Sequence, residues 1–145
     1  MDVAALVTWI LTAAGGFVML AIWVQNRSRV RVGAGGAADV PPSRLPAPAV
    51  FGHFLLAATG LVLWILYLAN DTEGLAWTAF VLLLVVALGG FYLLARWLSG
   101  GGHRHAVDPE GQTPENKFPV PVVLLHGALA ATTLVLVLLA ALNAS

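Results

Sequence analysis

The sequence predicts an all-α integral membrane protein, a four-helix bundle made of two tandem two-helix hairpins. Three observations carry this. Of 145 residues, 59% are hydrophobic and only 10% are charged, which is more apolar surface than a soluble domain of this size can hide. Four apolar stretches each reach the ~20 residues that a bilayer hydrocarbon core requires. Finally, one passage of sequence occurs twice, with a histidine in each copy.

The expected spans are 3–24, 48–69, 75–98 and 121–142. The first has Asp2 at its front in place of a basic cluster, and its apolar run exceeds that of a signal peptide, so it reads as a span rather than a cleaved leader. The second and fourth spans are entered through Pro46-x-Pro48 and Pro119-x-Pro121. Proline is tolerated in a first helical turn, where its missing N–H leaves no bond unmade. Only residues 70–74 separate the second span from the third, so these two helices are antiparallel neighbours. The segments 25–46 and 99–118 are rich in glycine and proline and read as turn-rich, mobile loops. The whole chain, 1–145, is taken as a single transmembrane domain.

The formal net charge is zero, but its distribution is lopsided. Arg27, Arg29, Arg31, Arg44, Arg96, Arg104 and Lys117 all lie in or beside the two long loops, whereas the other side carries Asp2, Asp71 and Glu73. Basic residues collect on the cytoplasmic side of membrane proteins. The expected topology is therefore a four-pass protein of the cell membrane, with loops 25–46 and 99–118 cytoplasmic and both termini outside. Trp23 and Trp97 fall near the cytoplasmic boundary and Tyr67 and Trp77 near the outer one, as interfacial aromatics do.

Cysteine is absent. That excludes disulfides, thiolate metal sites, iron–sulfur ligation and the covalent attachment of c-type haem. No nucleophile–base pair, phosphate-binding loop, zinc-protease helix or nucleic-acid patch is present. His103-x-His105 lacks a third ligand and reads as part of a solvated loop rather than a zinc site.

The repeat is specific. Residues 44–66 and 117–139, at an offset of 73, share Pro-x-Pro, a valine, the histidine, Leu-Ala-Ala-Thr, Leu-Val-Leu and a final leucine, which makes 12 identities in 23 positions. Arg44 is matched by Lys117. Residues 15–23 (GGFVMLAIW) and 89–97 (GGFYLLARW) repeat at an offset of 74. Repeat 1 thus covers 1–69 and repeat 2 covers 75–142. Corresponding helices run in the same direction, so the expected pseudo-twofold axis lies along the membrane normal.

His53 and His126 each lie seven residues beyond the first proline of their motif, roughly 10 Å along the helix. Such an axis brings them level and facing across the bundle. Ala57 and Ala130 follow one turn on, and Gly60 and Thr133 two turns on, all small residues on the histidine face. The pairs Gly15-Gly16 and Gly89-Gly90 fall in the same depth band. The expectation is a flat slot with two axial imidazoles, suited to a single bis-histidine haem b. Neutral imidazole supplies the two iron ligands, and glycine leaves room for the ring. Arg44, Lys117 and Arg96 lie on the side where the propionates emerge and bind carboxylates well. With both axial positions filled by protein, no oxygen chemistry is expected.

In His53, His126, the two glycine pairs and the four-helix plan, the chain resembles the membrane anchors of succinate dehydrogenases, b561-type cytochromes and the cytochrome b core of quinol-oxidising complexes. The resemblance implies haem held between helices and one-electron transfer rather than stand-alone enzyme activity. It also implies a quinone or a redox partner subunit as donor or acceptor. The chain departs from the two-haem members of that group, because it has no histidine in its outer half. The bilayer itself is the other expected partner, a second copy of the chain is compatible, and nothing points to nucleic acid. Four alternatives stand beside this reading. One is a scaffold or anchor subunit whose histidines bond a neighbouring helix, a second is haem sensing or delivery at the same site, a third is proton or quinone handling by the histidines, and the fourth is a small transporter. The transporter is disfavoured by the lack of a carboxylate within any span. Intramembrane ionisable residues are functional by default.

Overall fold

The computed structural model describes residues 1–33, 43–99 and 113–144. Four long helices account for most of them: α1 (Asp2–Gly33), α2 (Ala47–Asn70), α3 (Glu73–Ser99) and α4 (Val120–Asn143). All four are long and apolar enough to cross a membrane, as the hydropathy predicts. The residues 34–42 and 100–112, which include His103, Arg104, His105 and most of the two segments read as mobile loops, lie outside the described residues.

Two local features differ from the sequence expectation. Helix α1 does not stop at the end of its apolar run but continues to Gly33. Residues 25–32 contain neither glycine nor proline, and Gly33 is the first residue that favours a helix end. A short 3-10 turn, Pro114–Lys117, also occupies chain that read as loop ahead of α4. The entries of α2 and α4 follow the proline logic, with Pro46 and Pro119 extended at the N-caps and Pro48 and Pro121 inside the first turn. Between α2 and α3, Asp71 adopts φ 50° and its N–H donates to the Tyr67 carbonyl at 2.8 Å. A short polar side chain accepts this left-handed conformation better than most.

The helices alternate in direction. α1 packs most closely with α4 and α2 with α3, while the α1–α2 contact is sparser. The bundle is dense at the end that holds the short turn. There Trp9, Trp64, Leu83, Val86 and Val137 are buried among alanines at 5, 76, 79, 140 and 141. Trp64 caps the arrangement by donating from Nε1 to the Asp2 carbonyl at 3.3 Å. Gly60 serves this core, because a Cβ there meets Cζ2 of the buried Trp9 at 3.0 Å. Gly60→Ala is expected to destabilise the bundle by roughly 1–3 kcal/mol, the usual cost of overpacking, read as a lower unfolding midpoint in detergent. An unchanged midpoint would show that the Trp9 ring moves freely.

The opposite end is closed by polar contacts. Glu115, in the 3-10 turn, is 1% exposed. Its carboxylate accepts from Ser43 Oγ at 2.9 Å and from the Arg44 N–H at 2.6 Å. Its backbone carbonyl accepts from Trp97 Nε1 at 3.1 Å, and Trp23 Nε1 donates to Ser43 Oγ at 2.9 Å. The two indoles therefore tie the ends of α1 and α3 to the segments that lead into α2 and α4.

Candidate functional site

Between these two closed ends lies a layer of different character. Residues 10–22 of α1, 47–59 of α2, 87–96 of α3 and 120–132 of α4 include no fully buried side chain. His53 and His126 both sit in that layer. Their ring centroids are 6.4 Å apart, with the planes inclined at 59°.

Each imidazole rests on one glycine pair. His126 lies over α1: a Cβ at Gly16 would be 3.2 Å from its Cε1, and one at Gly15 would be 3.5 Å from its Cβ. His53 lies over α3: a Cβ at Gly90 would be 3.2 Å from its Cε1, and one at Gly89 would be 3.6 Å from its Nδ1. The sequence pointed to these glycines as room for a planar ligand. The structure seats the histidine rings directly against them. The missing side chains let each imidazole approach a neighbouring helix backbone, which fixes where the ring can stand.

The ring nitrogens have unequal surroundings. His126 Nδ1 lies 2.9 Å from the Thr12 carbonyl. A carbonyl can only accept, so this nitrogen carries the proton, and in the neutral ring Nε2 keeps a free lone pair. Thr12 is itself held, with its hydroxyl donating to the Thr8 carbonyl at 2.7 Å and standing 3.4 Å from Thr133 Oγ1. His53 Nδ1 is buried without a hydrogen-bond partner. The backbone of Val86, the repeat counterpart of Thr12, lies beside the ring on α3.

The other residues singled out from the sequence are distributed more widely. Ala57 and Ala130 are half-buried at the edge of the layer. Gly60 and Thr133 lie below it: Gly60 is filled by Trp9, and Thr133 is 1% exposed with its hydroxyl on the Leu129 carbonyl at 2.7 Å. The three cations sit at the polar end. Arg96 donates to the Arg44 carbonyl from Nε at 3.0 Å and from Nη2 at 2.7 Å, and Lys117 Nζ donates to Asn26 Oδ1 at 2.9 Å.

The structure adds residues that the sequence reading passed over. Thr12 acts through its backbone, which no side-chain pattern reveals. Glu115 had a signal, being a carboxylate two residues before the second copy of the repeat, but nothing in the sequence says that it is buried. Phe54, edge-on to Phe17 at 5.2 Å, flanks His53 on the α1 side.

Among the described residues no three His, Asp or Glu side chains come together as a metal site. Two imidazoles alone are too few for a bare metal ion. They suit an iron whose other four positions are supplied by a macrocycle. Their ring centroids, 6.4 Å apart, lie within the separation of ordinary ring–ring contacts. No family model, curated relative or solved structure matches the chain.

Proposed function

We propose that this protein is a small b-type membrane cytochrome that holds one haem b between His53 and His126 and serves one-electron transfer. The observation that carries this is the pair of imidazoles 6.4 Å apart in the one layer of the bundle without buried side chains. Bound there, the haem supplies a reversible one-electron couple. The protein's own part is to fix the rings. Gly16 and Gly90 set their positions, and Thr12 sets the tautomer of His126. The dense core and the Glu115 cap hold the helices on either side of the slot.

The duplication belongs to the same reading. Two hairpins related by a pseudo-twofold axis along the membrane normal present one histidine each. The matched seats support it: a Cβ added at Gly16 or at Gly90 would stand 3.2 Å from Cε1 of His126 or of His53. The basic residues of the two long loops support a site in the cytoplasmic half of the membrane with both termini outside. Arg44, Arg96 and Lys117 stand at that end, where propionates would meet water and positive charge. A lipid-soluble quinone or a redox subunit is the partner class that a buried one-electron carrier requires.

A purely structural role for the histidines suits His126, whose bond to Thr12 ties α4 to α1. His53 Nδ1 is buried without a hydrogen-bond partner and makes no such tie.

The test is spectroscopic. Protein purified with adequate haem supply is expected to be red, with a low-spin b-type reduced-minus-oxidised spectrum. His53→Ala and His126→Ala should each abolish the low-spin signal, while His103→Ala and His105→Ala leave it intact. Colourless wild-type protein would sink the proposal.

A further inference from the structure

We propose that the polar end of the bundle holds a site for one anionic phospholipid, with the headgroup on Arg96 and Arg44 and an acyl chain along the outer face of α3. The site lies apart from the histidine layer and does not rest on the haem reading.

Arg96 ends a track on α3. Leu84, Leu88, Tyr92 and Arg96 follow one another at intervals of four residues, so they share one side of the helix. All four are exposed. From Leu84 to Arg96 the helix rises about 18 Å, a little over half of the ~30 Å hydrocarbon core. The track therefore matches one leaflet. Its two leucines suit an acyl chain, Tyr92 combines an apolar ring with a polar tip, and the guanidinium stands where a headgroup would be.

That guanidinium is already oriented. Its Nε and Nη2 donate to the Arg44 carbonyl at 3.0 and 2.7 Å, which leaves three of its five N–H groups for a ligand. At residue 44 only the backbone is engaged with described residues, the N–H with Glu115 and the carbonyl with Arg96, and the side chain is exposed. Among the described residues neither arginine is in an ion pair. Glu115 is buried with its carboxylate on Ser43 Oγ and the Arg44 N–H, and Asp2, Asp71 and Glu73 belong to the opposite end. Two guanidinium groups without a protein counter-ion suit a phosphate diester, which arginine binds through paired N–H groups.

The repeat supplies an internal comparison. At the offset of 74, Leu84, Leu88, Tyr92 and Arg96 correspond to Ile10, Ala14, Val18 and Ile22, a track that stays apolar to its end. Lys117, the counterpart of Arg44, donates to Asn26 Oδ1 at 2.9 Å. The duplicated scaffold thus carries the headgroup site once. A water-soluble anion would use the arginines alone, and the apolar track selects an amphiphile.

The experiment titrates the full-length protein in neutral detergent with phosphatidylglycerol, with phosphatidylcholine of the same chains, and with inorganic phosphate. Native mass spectrometry reads bound lipid, and the unfolding midpoint reads stabilisation. Phosphatidylglycerol is expected to bind more tightly than phosphatidylcholine and to raise the midpoint, and inorganic phosphate to do neither. A cation near a headgroup contributes about 5-fold in affinity. Arg44→Gln and Arg96→Gln should therefore each weaken phosphatidylglycerol about 5-fold, and the double variant about 25-fold. Arg27→Gln, on α1 at the same end, should leave that affinity unchanged. Arg44→Gln keeps the backbone carbonyl that tethers Arg96, so it decides the matter even where Arg96→Gln fails to fold. Equal affinity for the two lipids overturns the proposal, as does phosphatidylglycerol binding that Arg44→Gln leaves intact. An equal loss in Arg27→Gln would reveal diffuse charge attraction in place of a site, and phosphate binding as tightly as the lipid would remove the acyl track; either result sinks it.

Discussion

Gly16→Leu and Gly90→Leu are each expected to give a folded protein that no longer forms low-spin haem. A Cβ at either position already stands 3.2 Å from a histidine Cε1, so even alanine forces the imidazole to give by a few tenths of an ångström. The proposed haem would be held by both rings, so a shift of one ring would affect the whole site. Alanine is expected to weaken haem binding about 10-fold, the lower end of what disturbing a ligand's support costs, and leucine to abolish it. The neighbouring glycines provide the comparison. An added Cβ at Gly52 or Gly127 meets nothing within 4 Å, although each adjoins one of the two histidines in the chain. Gly52→Ala and Gly127→Ala should bind haem as wild type does. Haem titration with size-exclusion chromatography separates loss of the site from loss of the fold. Equal haem affinity across all four alanine variants would mean that the glycines do not position the rings.

Glu115→Ala is expected to lower stability by roughly 2–4 kcal/mol, through buried donors left without an acceptor and the space the side chain vacates. The carboxylate takes hydrogen bonds from Ser43 Oγ and the Arg44 N–H while only 1% exposed. Ser43 and Arg44 lead into α2, and Glu115 itself leads into α4, so this one side chain ties together the entries of both histidine helices. Glu115→Gln keeps the shape and one acceptor oxygen and should lose only about 1 kcal/mol, the weight of one ordinary hydrogen bond. Unfolding midpoints in detergent read both effects. A Glu115→Ala variant as stable as wild type would show that the polar cap is closed by the two indoles without the carboxylate.

Much of the fold is legible in the sequence because a bilayer imposes strict terms. A helix must be about 20 apolar residues long, and that requirement marks all four helices within a few residues of their observed ends, except at the C-terminal end of α1. The end of α1 was not legible from hydropathy, since residues 25–32 are mostly polar yet contain neither glycine nor proline to break a helix. The paired histidines and glycines were legible through the repeat, which singles out chemically costly residues against a background of leucine and alanine. Their mutual contact was not. The glycines were read as walls of a slot, and the structure uses them as seats for the rings. Arg44, Arg96 and Lys117 were read by charge alone, and two of the three are engaged with backbone or amide oxygen at the polar end.

The sequence by itself determined that this chain is helical, where its four apolar helices lie, and which two ionisable side chains stand deep within them. These follow from local composition and spacing, which act within a single helix. Only the tertiary structure decided which glycine pair meets which histidine, that Glu115 is buried, and that Thr12 serves one imidazole while the other has no partner. Each of these depends on a backbone atom of a different helix, and the position of that atom is set by how tryptophans and alanines far along the chain pack together.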